Sequence, residues 1–198
     1  MIVNCHRLSA LTACLLLAAC KPVTETKRAE TPPAASAVPA AAPAPVTFAH
    51  DPGLDSLGYY FTDAVVQAGN LKLISLNIGQ ASDFADWESG KRPATYAPIF
   101  MAFEDVTSPT AENELGQTYH TVSLRVMPTA YRVDGGEVSF HGVDPQVGEV
   151  TFSGAFDLDA LKAAKAAGPG EPQAVLKGDL QVGDQHFRNV SFKYFGGE

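Results

Sequence analysis

The chain reads as a mainly β protein: an antiparallel sandwich or a barrel-like curved sheet of about seven to eight strands, with two short helices. Three observations carry that expectation. From Val46 onward apolar residues recur at every second position in short runs. Clusters of Gly, Asp, Asn and Pro separate those runs. Only two segments combine helix-forming residues with start and stop signals. A domain of roughly 150 residues can bury a respectable core without disulfides.

Taken in order, residues 58–69 (GYYFTDAVVQAG) fit a strand or a short helix equally well. Residues 71–78 (LKLISLNI) are apolar enough for a covered strand, with Leu71 and Leu73 on one side and Lys72, Ile74 and Leu76 on the other. Residues 82–90 (SDFADWESG) predict a helix with Ser82 as N-cap, Asp83 in the first turn and Gly90 as stop. Phe84 and Trp87 lie three apart and share its apolar side. Residues 97–106 are a second apolar strand, and 107–117 (TSPTAENELGQ) a long polar loop. Residues 119–127 alternate Val122, Leu124 and Val126 against Thr121, Ser123 and Arg125. Asp134-Gly135-Gly136 predicts a hairpin between strands at 130–133 and 137–143. In 148–156, Val150, Phe152 and Phe156 share a face. Residues 157–170 predict a helix with acids first, lysines later and Gly168-Pro169-Gly170 as stop. Gly183-Asp184 predicts the last hairpin. In its second strand Val190, Phe192 and Tyr194 share a face and Phe187 falls out of phase, which predicts a bulge near Asn189.

The first 45 residues have a different grammar. Arg7 precedes the uncharged run 8–19 (LSALTACLLLAA), twelve residues that would rise only about 18 Å as a helix. That is too short for roughly 30 Å of hydrocarbon but suits the apolar stretch of a signal peptide. It ends in Leu17-Ala18-Ala19-Cys20, a large apolar residue, two small ones and a cysteine. This resembles the lipobox of bacterial lipoproteins. The resemblance implies a signal peptide over 1–19, cleavage before Cys20, and lipid (diacylglycerol and an acyl chain such as palmitate) on Cys20 as a membrane anchor. By the same resemblance Lys21, which is not the inner-membrane retention residue Asp, implies sorting to the periplasmic face of the outer membrane. Residues 20–45 are then a lipid-anchored tether. They hold six prolines and eight alanines from Lys21 on, a composition expected to stay disordered or partly polyproline II. At about 3.1 Å per residue such a tether reaches on the order of 75 Å. Residues 46–198 form the single β-rich domain.

Charge narrows the partners. The chain carries a formal −8, and from Val46 on there are 10 Lys+Arg against 20 Asp+Glu. An acidic body without a basic run gives no footprint for nucleic acid and no affinity for anionic lipid. Cys5, Cys14 and Cys20 are the only cysteines. The body therefore has no disulfide, thiol nucleophile or cysteine metal ligand.

Catalytic and metal motifs are missing from the body. His50, His120, His141 and His186 form no H-E-x-x-H pair, and there is no G-x-S-x-G elbow, P-loop or G-x-G-x-x-G. His141 and Asp144 stand three apart without a well-placed serine. Asp83 and Asp86 could share a helix face, but the Asp-x-Asp-x-Asp-Gly order of a calcium loop is lacking. Glu104 and Asp105, adjacent on a strand, point to opposite faces and make a poor acid/base pair. The expectation is no enzyme, no cofactor and no metal. The stretch 83–98 is the candidate binding surface, because Trp87, Lys91, Arg92 and Tyr96 place aromatics beside a cationic pair. The opposing expectation is that Phe84 and Trp87 plug one end of the core.

The last 22 residues to Gly197, with Gly178-Asp179-Leu180, the turn residue Gly183 and an alternating final strand, resemble the closing hairpin of the periplasmic polyisoprenoid-binding, lipocalin-like family. That resemblance implies a curved sheet and carries no site residue over. The sequence thus predicts a membrane-anchored lipoprotein acting as a non-catalytic binding or interaction module for a periplasmic protein, an envelope inhibitor or immunity protein being one form. The alternative is a carrier of an apolar ligand in a β cavity.

Overall fold

A computed structural model describes residues 47–168 and 173–197. The signal, lipobox, Cys20, Lys21 and the tether lie outside the described residues, as do Pro169 and Gly170 of the second helix stop. The described residues all fall in one compact unit, Pro43–Glu198.

The fold is mainly β, a strongly curled half-barrel sheet with two helices. There are thirteen described strands where seven to eight were expected. The extra ones are short. β1 (Phe48–His50) and β3 (Gln67–Ala68) have three and two residues. The polar loop is a small hairpin, β6 (Thr110–Glu112) and β7 (Thr118–His120). The run expected at 119–127 divides into β7 and β8 (Ser123–Val126). Thr121 and Val122 break it because their N–H groups bond back to the loop, to the Pro109 carbonyl and the Ser108 hydroxyl.

The long strands follow the alternation. They are β2 (Gly58–Thr62), β4 (Leu71–Ile78), β5 (Ile99–Asp105), β9 (Pro128–Asp134), β10 (Glu137–Asp144), β11 (Gly148–Phe156), β12 (Ala174–Val182) and β13 (Gln185–Phe195). The ambiguous segment 58–69 is thus strand at both ends. Strand order is β1-β9-β10-β11-β12-β13-β2-β4-β5-β8, with β3 beside β4. All pairs are antiparallel except β1 with β9. β8 ends the sheet on one side, yet the single residue Met127 joins it to β9 near the other side. That one-residue link forces the sheet to curl. At this corner a Cβ on Gly142 would sit 2.6 Å from the Met127 carbonyl and 2.7 Å from Val126, so only glycine fits.

Both helices form where expected. α1 (Ala81–Glu88) starts one residue before Ser82, and its N-cap is Gln80. The Asp83 carboxylate accepts the Gln80 N–H at 3.1 Å, completing a reciprocal capping box. α2 (Leu158–Ala167) is capped by Asp157, whose carboxylate accepts the Ala160 N–H at 2.9 Å.

The concave side is one hydrophobic cluster built on Tyr60, Leu76, Ile99, Phe103, Phe152 and Phe192. The expected inward sets Val150–Phe152–Phe156 and Val190–Phe192 are buried there. Strand β4 departs from simple alternation. A bulge between Leu73 and Ser75 shifts the phase, so Leu76 joins Leu71 and Leu73 in the core and not Lys72 on the far side. The bulge expected near Asn189 is present. Asn189 has φ 53°, the β12–β13 register slips there, and the Asp179 carboxylate accepts its N–H at 2.9 Å.

Candidate outer-face binding site

The convex side of the sheet has two characters. Outward positions on β9–β12 are mostly polar, among them Arg132, Ser139, His141, Ser153 and Gln181, with Val143 the exposed large apolar residue there. Across β13, β2, β4 and β5 they include four aromatics, Phe195, Tyr59, Phe61 and Phe100, among polar residues such as Lys193, Lys72 and Glu104. One register row runs Phe195, Tyr59, Asn77 and Phe100 over those four strands. Phe61 stands two residues further along β2. Phe195 lies 6.4 Å from Tyr59 and 6.1 Å from Phe61, ring centre to ring centre. Tyr59, Phe61 and Phe195 remain 47%, 38% and 39% exposed. Pairing alternate aromatics to opposite faces follows from the sequence GYYFT: Tyr60 enters the core while Tyr59 and Phe61 face out. Within the row Asn77 donates to the Ser75 hydroxyl at 2.9 Å, which satisfies a buried polar pair.

Phe61 also lines a groove of about 570 Å³. Its floor holds Lys72 and Glu104, neighbours on β4 and β5 paired at 2.9 Å. One wall is Phe61 to Val65, and the other is Tyr119 to Thr121 from the β6–β7 hairpin. That hairpin is pinned at its base. Thr107 N–H and hydroxyl both bond the Asp105 carboxylate, at 2.8 and 2.6 Å, which holds its pKa below the usual range. A ring N–H of His120 donates to the Ser108 carbonyl at 3.1 Å.

The residues expected to form a surface at 83–98 are placed in two different settings. Trp87 is only 7% exposed and packs edge-on against Phe48. The guanidinium of Arg92 covers Phe48 at 4.5 Å and Trp87 at 5.6 Å, and its Nε donates to the Trp87 carbonyl. Together with Phe84, stacked on the His50 ring at 3.8 Å, they close one end of the core. Lys91 is solvated and pairs with Asp86. Tyr96 belongs with the aromatic face. Its ring meets Phe100 edge-on at 6.2 Å, and its hydroxyl donates to Asp83 at 2.9 Å. Partial burial, then that bond to a carboxylate, pushes its pKa up to about 12. Arg125 stacks over the same Phe100 at 5.1 Å. Tyr59, Phe61, Phe100 and Phe195 were not singled out from sequence. The signal was there in GYYFT, where one face of a strand must expose its aromatics.

His141 and Asp144, noted in the sequence as a pair three apart, each have local partners. His141 contacts the Thr129 hydroxyl and, at 2.8 Å, Glu149. Asp144 caps a turn by accepting from Gln146 and Val147. Burial lowers the His50 pKa, against the opposing pull of Glu88 and Asp51. Among the described residues no cluster of three metal-ligating side chains occurs, and no helix is long and apolar enough to cross a membrane. No family model, curated protein or solved structure matches the chain.

Proposed function

We propose that the protein is a lipid-anchored periplasmic lipoprotein whose β domain is a non-catalytic protein-binding module, with the aromatic outer face as its binding surface. The observation that carries the reading is the exposure of Tyr59, Phe61 and Phe195 side by side, on a sheet whose other half exposes a single large apolar residue, Val143, among the described residues of β9–β12. A sheet with one solvated face normally alternates apolar-in and polar-out. Clustered exposed aromatics are the exception that marks interaction surfaces. Tyr96 of the sequence-based surface remains part of it, whereas Trp87 and Arg92 serve the core end. Cys20 carries the lipid, Lys21 directs outer-membrane sorting, and the tether lets the body range through the periplasm. The packing of Tyr60, Phe152 and Phe192 on the concave side supports binding outside over carriage of an apolar ligand within. An envelope inhibitor or immunity protein is one form the module could take.

The test is site-specific photocrosslinking in cells. A photoreactive phenylalanine analogue at Tyr59 should trap one discrete protein partner, and the same analogue at Ser153 on the polar half should not. Equal trapping at both positions, or none at Tyr59, overturns the reading.

A further inference from the structure

We infer that the aromatic outer face has a resident occupant in the same chain: the proline-rich segment 31–46 lies across it as a polyproline II helix, and a partner must displace it. This rests on the binding-face reading above and adds how access to that face is controlled. The segment reads TPPAASAVPAAAPAPV and ends where the described residues begin, at Thr47. It holds five prolines and no charged residue. Polyproline II has three residues per turn, so Pro33, Pro39 and Pro45 fall on one edge of it. Its backbone is already extended, and aromatic-lined surfaces are what bind such segments.

The face fits this occupant in composition, length and charge. Tyr59, Phe61 and Phe195 stand exposed side by side. The row Phe195, Tyr59, Asn77 and Phe100 crosses four adjacent strands. At the usual strand spacing that is about 14 Å, the length of about five residues of polyproline II. The lysines of these strands, Lys72 and Lys193, are already paired with Glu104 and Asp63, so rings and not bare ammonium groups meet the uncharged segment. Connection then selects among occupants. Thr47 and Tyr59 are twelve residues apart, so they lie within about 43 Å of each other however the chain runs. Residues 31–46 extend to about 50 Å as polyproline II and reach the row while still attached. Attachment holds the segment at an effective concentration on the order of millimolar. A second copy has no such advantage, and its body, with 20 acidic against 10 basic residues from Val46 on, would be repelled.

The test uses the full chain with Cys20→Ser, so that it stays free of lipid, carrying a photoreactive phenylalanine analogue at Phe195. After irradiation, cleavage behind acidic residues separates 31–55 from Tyr59 and Phe195, and mass spectrometry locates the crosslinks. The purified chain should link Phe195 to 31–46, in a yield independent of protein concentration and unchanged between about 0.05 and 0.5 M salt. The analogue at Ser153 should give no such link. Pro33→Ser/Pro39→Ser/Pro43→Ser/Pro45→Ser should cut the yield about threefold or more, because the preformed extended helix is lost. Absence of the link, equal yield from Ser153, or a yield untouched by the four substitutions overturns the inference. So does a product joining two chains in its place, since a second copy would then cover the face. In cells, the same four substitutions should raise partner trapping from Tyr59 about twofold or more, because an occupied face weakens apparent affinity in proportion. Trapping that stays unchanged or falls overturns the inference. No trapping from either chain, with the purified-chain link present, refutes the binding-face reading instead and leaves the occupant standing.

Discussion

Gly178→Ala tests the packing of the sheet most severely. Gly178 on β12 faces Gly154 on β11 in register. A Cβ at Gly178 would lie 2.4 Å from the Ser153 carbonyl oxygen, 2.6 Å from the Gly154 Cα and 2.7 Å from the Phe152 ring. Two of those three atoms are backbone and cannot swing aside, so the strands must part or Phe152 must leave its place. Overpacking of this kind costs about 1–3 kcal/mol, and backbone obstruction puts Gly178 at the upper end. For a domain of this size about 3 kcal/mol lowers Tm by roughly 6–12 °C. Gly69 is the control. It has nothing within 4 Å of its Cβ position but a φ of 61°, so Gly69→Ala should cost only about 1 kcal/mol. Urea titrations of both variants decide the matter. A loss under about 0.5 kcal/mol at Gly178, or a larger loss at Gly69, would refute the close approach of β11 and β12.

Four further outcomes follow from the same structure. Trp87, the sole tryptophan, should resist acrylamide quenching in the native state and become accessible on unfolding; quenching equal to that of the unfolded chain would return it to the surface. His50 has a folded-state pKa below its unfolded value, so the stability it contributes is complete above about pH 6.5 and is lost as pH falls through the lower folded value. The difference in urea midpoint between wild type and His50→Gln should therefore shrink on acidification, and a difference that grows would contradict the burial of that ring. Asp179→Ala removes the acceptor of the Asn189 N–H at a left-handed residue and should cost about 1–2 kcal/mol by urea titration. Cys20→Ala should release the protein from membranes on fractionation; unchanged sedimentation with the envelope would defeat the lipid anchor.

The parts of the fold that could be read in advance are those where one local signal has one outcome. Asp134-Gly135-Gly136 makes its hairpin with both glycines at positive φ, and Asp157 caps its helix. The phase conflict between Phe187 and Phe192 already required the extra residue that Asn189 supplies. Where two outcomes share a local pattern, the tertiary context decided. LKLISLNI could hold a bulge at Ile74 or none, and only pairing with β5 selects it. The β6–β7 hairpin looked like a loop because its two three-residue strands have little apolar content. Residues 82–96 combine both cases. Phe84 and Trp87 share one helix face, so their joint burial was a readable alternative, but the capture of Arg92 depends on Phe48, far away in sequence. The aromatic face is not legible in the sequence for a related reason. Alternation shows that Tyr59 and Tyr60 oppose each other, not which of them is covered.

The central claim is that the exposed aromatics of β2 and β13 bind a partner and contribute little to folding. The direct measurement is the double variant Tyr59→Ser/Phe195→Ser, assayed for urea stability and for in-cell crosslinking from a photoreactive analogue at Phe61. The account predicts a stability change within about 1 kcal/mol, as for exposed positions, with the Phe61 crosslink lost. A loss of several kcal/mol, or a crosslink that persists undiminished, would contradict it.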